Sequence, residues 1–372
     1  MISPERNPWR HTLLSCPLVC RDWHHYPLFY LREYAELRDR QQVIALSNHL
    51  RAKSRLGGAV KRVTIFGGSD PDVAKPVPQL GTFTPMLARK LPNSEVLQIR
   101  HAELALGAVP LASMRRLTAF PSLTVLELTS VHFSSPSQLV QLLSAIPTLR
   151  SLISRRVFCK STWSHTSVLP LHITHLRRMG VWHDHAPAMM SLLTRLVRAA
   201  QVEDLEIGVD GCTTSLGGGQ RWHQLVDSTA PSLKVFRLVC DTNGMPVAAF
   251  TNMVQSARLH WHLNLEHLSL KSLVVRNADH WWMLRVLSTV QSAAIRTVSI
   301  CFTVGADTAA QVRALLTEFN RNNYLKILDG TLSGSTFASI PPTGVCLTIS
   351  IPAYAVPDSK LGIHLGAGHG TK

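Results

Sequence analysis

The sequence predicts an α/β architecture, an irregular solenoid of strand-turn-helix repeats, and three observations predict it. The first is a segment of the form Leu-x-x-Leu-x-Leu that returns along the chain. It appears as Leu123, Leu126 and Leu128, as Leu176, Met179 and Val181, and as Val202, Leu205 and Ile207. Leu233, Phe236 and Leu238, then Leu265, Leu268 and Leu270, then Ile295, Val298 and Ile300 continue it. The last two apolar positions of each copy alternate as a short half-buried strand requires. The second observation is the spacing: with weaker copies starting at Leu149 and Leu325, successive starts lie 26 to 32 residues apart, which is a repeat period. The third is that the stretches between copies carry apolar residues three and four apart, the spacing of a helix with one buried face.

Taken in order, Leu97 and Ile99 in "SEVLQI" open the series. "PSQLVQLLSAIP" then sets Leu139, Leu142, Leu143 and Ile146 on one helical face, with Pro136 suited to the first turn. "APAMMSLLTRLVRAA" does the same with Met189, Leu192, Leu193, Leu196 and Val197. Further helices are expected in "MPVAAFTNMVQSARL", "NADHWWMLRVLSTVQ" and "DTAAQVRALLTEFNR", the last capped by Asp307. The segment "PSL" leads into two of the strands at equivalent places, at Pro121 to Leu123 and Pro231 to Leu233. A strand-helix unit of this size cannot bury its own apolar faces, so neighbours are expected to stack with strands along one side and helices along the other. Strand-helix alternation also fits an ordinary α/β domain with a parallel sheet; the fixed phase of the leucines favours the solenoid.

These repeats resemble a degenerate leucine-rich-repeat array. The asparagine that follows the strand in that family is replaced here by Val131, Asp210, Asp241, Leu273 and Thr303, so an irregular horseshoe is expected. Near the amino terminus, Leu13, Cys16, Leu18, Val19, Cys20, Arg21 and Trp23 in "LLSCPLVCRDW" resemble the second half of an F-box, a small helical motif with a "C-x-LVC-x-x-W" run. "HHYPLFYLREYAEL" is similar to the segment that leads from an F-box toward repeats. "MISPERNPWRH" does not supply the leucine-proline pair of the motif's first half, so the expectation is an F-box shortened at its amino terminus.

The layout is similar to fungal F-box proteins with irregular repeats. That resemblance implies a substrate receptor of a cullin-RING ubiquitin ligase, without catalysis or cofactor of its own. Leu13, Cys16, Leu18, Val19 and Trp23 would grip the ligase adaptor, and the repeats would hold a protein target. The expected organisation is a partial F-box-like helical head over 1–56, a linker or first irregular repeat over 57–93, a leucine-rich-repeat-like solenoid over 94–351, and a flexible tail over 352–372. From the residues alone, Leu13, Cys16, Val19, Cys20 and Trp23 recur at three and four, and the same face would serve as a cap over the open end of a stand-alone scaffold.

Composition narrows the partners. Thirty-eight Lys and Arg against 23 Asp and Glu give +15, so nucleic acid is a partner class to weigh. The densest basic patch, Arg51, Lys53, Arg55, Lys61 and Arg62, has few aromatic neighbours, which argues against it. The seven cysteines are an odd set inside apolar runs, as buried free thiols are in a reducing compartment. With no apolar run of about 18 residues to cross a membrane, the expected setting is intracellular, cytoplasmic or nuclear. Close histidines at "HHY", "HDH" and "HWH" lack the companion cysteines of a zinc site, so no metal is expected. "SLGGGQRW" lacks the lysine of a phosphate loop, and no nucleophile elbow or zinc-protease helix occurs. Among the tryptophans, Trp281 and Trp282 are the expected target contacts, although adjacent positions on a helix cannot both face inward.

Overall fold

Alternate branched and aromatic residues set the strands, and a carbonyl placed just before each strand sets how they stack. The computed structural model describes residues 33–68, 73–104, 111–160, 169–182, 187–209, 222–241, 259–273, 281–303, 313, 316–317 and 319–350. The chain divides into two bodies, 1–176 and 177–372. Each is a parallel sheet in which strands alternate with helices. The adaptor-face residues Leu13, Cys16, Leu18, Val19 and Trp23 and the tail at 352–372 lie outside the described residues.

In the first body, β1 (Tyr34–Leu37) leads to α1 (Arg40–Ala52), followed by β2 (Arg62–Phe66), β3 (Lys75–Pro76) and α2 (Pro78–Leu87). Next come β4 (Val96–Leu104), α3 (Leu111–Arg115), β5 (Val125–Phe133), α4 (Pro136–Ser144) and β6 (Ser151–Cys159). The strands lie side by side in the order β1-β2-β4-β5-β6, all parallel, with β3 continuing the line of β2 beside β4. In the second body, β7 (Arg178–Trp182), α5 (Pro187–Ala200), β8 (Asp204–Val209), α6 (Trp222–Ser228) and β9 (Val235–Asp241) are followed by β10 (His267–Leu273). It ends with α7 (Trp281–Ser288), β11 (Thr297–Thr303), α8 (Tyr324–Leu332) and β12 (Val345–Ser350). There too each strand pairs in parallel with the next in sequence.

The leucine template carries the core. The second and fourth residues of the strands, such as Leu126 and Leu128, Phe236 and Leu238, or Leu268 and Leu270, are buried beneath helices, while the residues between them are half-buried on the other face. Each fully buried aliphatic side chain of this kind contributes roughly 1.5–3 kcal/mol. The helices expected around Leu139 and Leu192 form as α4 and α5, with Leu139, Leu142, Leu143, Met189, Leu192, Leu193, Leu196 and Val197 all buried.

The structure fills in the start of the chain and changes one expected element at its end. Val60, Val63 and Ile65 are a buried copy of the template within 57–93, the stretch expected to be a linker or first irregular repeat, and β1 and α1 fall within the segment expected to be an F-box-like helical head. Asp39 caps α1 by accepting from the Gln42 N–H at 2.8 Å, and α1 packs on α2. At the other end, "LKILDG" is helix, not strand. Tyr324 and Leu328 are buried four apart while Leu325 and Ile327 are exposed, the pattern of one helical face. Leu-x-x-Leu is itself a helical spacing, and Gly330 removes the alternation that would have made it β. Within 57–93, Lys75–Pro76 also pairs with Ala102 and Glu103 as a short strand.

Three strands of the first body share a further device. His101, Ser130 and Arg156 have φ of 48°, 52° and 53°, and they stand at one level in β4, β5 and β6. Core positions run Leu97, Ile99, then Ala102 and Leu104; Leu126, Leu128, then Val131 and Phe133. The left-handed residue adds one position to the alternation, as a bulge does, and so places two consecutive side chains away from the core. Directly after β2 the same level is Gly67, where a Cβ would collide with the carbonyl oxygens of His101 and Lys75.

A left-handed residue without glycine costs about 1–2 kcal/mol, most for a β-branched side chain. Ser130→Gly is therefore expected to hold or raise the urea midpoint, and Ser130→Val to lower stability by about 1–2 kcal/mol. Equal stability of the two variants would contradict a bulge at this level.

Candidate interaction face

The leading edge of the strands holds the elements in register. The carbonyl of the residue before a strand accepts two N–H groups from the next strand's start. Glu33 O takes Lys61 and Arg62 N–H, Lys61 O takes Glu95 and Val96, Glu95 O takes Thr124 and Val125, and Thr124 O takes Arg150 and Ser151. In the second body Arg177, Glu203, Lys234 and Glu266 repeat the arrangement. Side chains of the preceding turns add a second tie. Ser122 Oγ donates to Pro92 O at 2.7 Å, Thr148 Oγ1 to Leu123 O at 2.6 Å, Ser232 Oγ to Val202 O at 2.8 Å and Asn264 Nδ2 to Pro231 O at 3.1 Å. Ser122 and Ser232 are the serines of the two "PSL" segments, which gives that motif its physical role.

Charges alternate along the same edge. Lys61 Nζ lies 2.8 Å from Glu33; Arg177 and Lys234 lie 3.4 and 3.1 Å from Glu203; Arg296 lies 3.8 Å from Glu266. The hydrogen bond and charge of Glu33 raise the pKa of Lys61. Such exposed pairs are screened by solvent, so they favour register more than stability. A hollow of about 290 Å³ on this edge of the second body is lined by Arg177, Glu203, Lys234, Asn264 and Glu266, whose charges already answer one another.

The face of each sheet away from the helices carries the polar side chains. In the first body Thr64 Oγ1 donates to Gln98 Oε1 at 3.0 Å, Gln98 Nε2 donates to Glu127 Oε2 at 2.8 Å, and Arg62 lies 3.8 Å from Glu127. The Arg62 guanidinium also lies 5.7 Å over the ring of Tyr34, and those of Arg38 and Arg100 lie 5.1 and 5.9 Å from the Phe66 centroid. Buried Gln79 ties the strand ends beneath them, donating to Arg38 O at 3.1 Å and Phe66 O at 2.5 Å. In the second body Glu206 is the hub: Arg178 Nη2 and Trp182 Nε1 each donate to it at 3.0 Å. Asp204 pairs with Arg237 and lies 3.7 Å from Arg178. Gly208 faces Trp182 across the strands, and a Cβ there would collide with the indole.

Sequence reasoning reached few of these residues. Trp282 is 2 % exposed inside the core of α7, and the helix phase that buries it turns Trp281 outward to 36 % exposure, edge-on to Tyr324. Both sit among the helices, away from the polar face. Trp182 and Glu206 were legible as the outward positions beside the buried Met179 and Ile207, a signal the leucine template passes over. Of the basic patch, Arg51, Lys53 and Arg55 are exposed, while Lys61 and Arg62 are paired.

Among the described residues no group of three His, Cys, Asp or Glu could hold a metal, and no helix is long and apolar enough to cross a membrane. Cys159, Cys240, Cys301 and Cys346 are free thiols, and burial pushes Cys159 up to about 12 and Cys240 higher still. No family model matches this chain, and no curated protein matches it.

In "HWH", His260 packs against Trp261, whereas His262 is fully buried with Nε2 3.0 Å from Val226 O. Burial lowers the His262 pKa below 6.5, opposed by hydrogen bonds to the Val226 and Leu259 carbonyls. The folded state therefore binds its proton less readily than the unfolded chain does. Its contribution is fully present above about pH 6.5 and is lost as pH falls below it. His262→Gln, which keeps a donor but does not titrate, is expected to flatten the fall in thermal midpoint between about pH 7.5 and pH 5. Parallel curves for the two proteins would contradict this role.

Proposed function

We propose that the chain is a non-catalytic interaction protein. In this reading its strand-helix pairs form a leucine-rich-repeat-like solenoid, and its helix-free face holds a protein target for a cullin-RING ubiquitin ligase. The observation that carries the solenoid reading is the recurrence, strand after strand, of the same doubly accepting carbonyl at the leading edge. Doubly wound α/β domains reverse their strand order at a switch point; here, the short β3 aside, each strand neighbours the next in sequence within its body. The face opposite the helices offers hydrogen-bonding and charged groups held by Gln98, Glu127 and Glu206, which suits recognition of a polypeptide surface. The ligase half of the proposal rests on the resemblance of Leu13, Cys16, Leu18, Val19 and Trp23 to an F-box.

A stand-alone scaffold is the second reading, and one observation favours it. The first strand-helix pair exposes Tyr34 at 55 % and Ile44 at 43 %, apolar surface of the kind that a capping segment at 13–23 would cover. Nucleic-acid binding is a lesser alternative based on the net charge of +15.

Co-purification with the ligase adaptor separates the first two, using the intact chain and a Val19→Asp, Trp23→Ala variant. The receptor reading predicts adaptor capture by the intact chain and its loss in the variant, with the thermal midpoint held. No capture by either protein, together with a lowered midpoint in the variant, would replace it with the cap.

A further inference from the structure

The bulge level of the first body gathers basic side chains into one stripe. Crossing the strands in order, that level and the position before it carry Arg38, then Phe66 and Gly67, then Arg100 and His101, then Thr129 and Ser130, then Arg155 and Arg156. Arg38 follows directly after β1, whose Leu37 pairs with Ile65, so it stands beside Phe66. The stripe holds four arginines and no carboxylate. Acidic residues flank it: Glu36 and Glu127 two positions toward the strand starts, and Glu103 toward the strand ends. Charge is concentrated in this body as a whole. Residues 1–176 hold 21 of the 38 Lys and Arg but 10 of the 23 Asp and Glu, which places +11 of the net +15 there.

We infer that this stripe is the target-binding site of the first body and that its ligand is an extended acidic segment of a polypeptide, with aspartate or glutamate carboxylates set against Arg38, Arg155 and Arg156. The inference rests on the reading of the helix-free face as the binding surface and gives it a substrate class. Guanidinium groups pair carboxylates in two parallel hydrogen bonds, which rewards discrete, spaced acids. Five strands about 4.8 Å apart span roughly 19 Å, the length of about six extended residues. The bulge matters because it turns two neighbouring side chains, Arg155 and Arg156, away from the core at once. Nucleic acid fits less well. The flanking Glu36, Glu127 and Glu103 oppose a uniform run of phosphates, and the ring within the stripe, Phe66, is 5 % exposed and closed to base stacking.

The test is fluorescence anisotropy of the full chain with a short labelled peptide of glutamate and aspartate, its glutamine-asparagine counterpart, and a single-stranded DNA oligonucleotide. Three proteins are compared: the natural sequence, an Arg155→Gln, Arg156→Asn variant, and a Lys234→Gln, Arg296→Gln variant of the second body's edge. Asparagine tolerates the left-handed conformation at 156, so the first variant is expected to keep its fold, and circular dichroism with a thermal melt verifies it.

The inference predicts that the acidic peptide binds and its amide counterpart does not. It further predicts that the Arg155, Arg156 variant weakens binding about tenfold while the edge variant does not. It is overturned by absence of acidic-peptide binding, by equal binding to both variants, or by DNA binding tighter than peptide through the same arginines. Adaptor capture is read separately, so a receptor that captures its adaptor but ignores the acidic peptide would sink this inference alone.

Discussion

The register of either body depends on one backbone constraint, the carbonyl at Glu33, Lys61, Glu95 and Thr124, and at Arg177, Glu203, Lys234 and Glu266, that precedes a strand and accepts two N–H groups from the start of the next. Parallel strands have no tight turn to fix their register, and a slip of one residue would carry Leu126, Leu128 and their counterparts out of the core. A hydrogen bond of this kind contributes only about 1 kcal/mol net, yet leaving the carbonyl unpaired would cost more. Ser122, Thr148, Ser232 and Asn264 repeat the tie with side chains, and alternating charges such as Glu33 with Lys61 or Glu203 with Lys234 reinforce it electrostatically. These ties lie at the leading edge of the strands. The asparagine that leucine-rich repeats place after the strand has no regular counterpart at Val131, Asp241, Leu273 and Thr303.

Much of the core was legible in the sequence because burial repeats at fixed offsets. Leu123, Leu126 and Leu128 state the rule, and Val202, Leu233, Leu265 and Ile295 with their followers obey it. What escaped was whatever changed the phase. The bulges at His101, Ser130 and Arg156 leave no glycine to betray a left-handed residue, and only the later shift from Leu128 to Val131 records them. "LKILDG" is ambiguous because Leu325 and Leu328, three apart, fit a helix as well as the template. β2 is faint in the sequence because its copy of the template, Val60, Val63 and Ile65, contains no leucine, and β1 because Leu37 alone of its four residues is buried.

The candidate face was the least legible part, since half-buried strand positions are chosen by neighbours one strand away and some thirty residues off in sequence. Arg178, Trp182, Glu206 and Arg237 come from three different strands, and nothing in any one segment announces that they meet. The same left-handed residue that resets the core alternation turns Arg155 and Arg156 outward together, so a packing device becomes a means of concentrating charge.

The stacking of strands in chain order is the claim on which the rest stands, and amide hydrogen exchange tests it directly. The account predicts that the N–H groups of Lys61, Arg62, Glu95, Val96, Thr124, Val125, Arg150 and Ser151 are protected to the level of the strand interiors they adjoin, because each is held by the preceding carbonyl. Exchange of these amides at the rate of an open chain, with the strand interiors still protected, would contradict it.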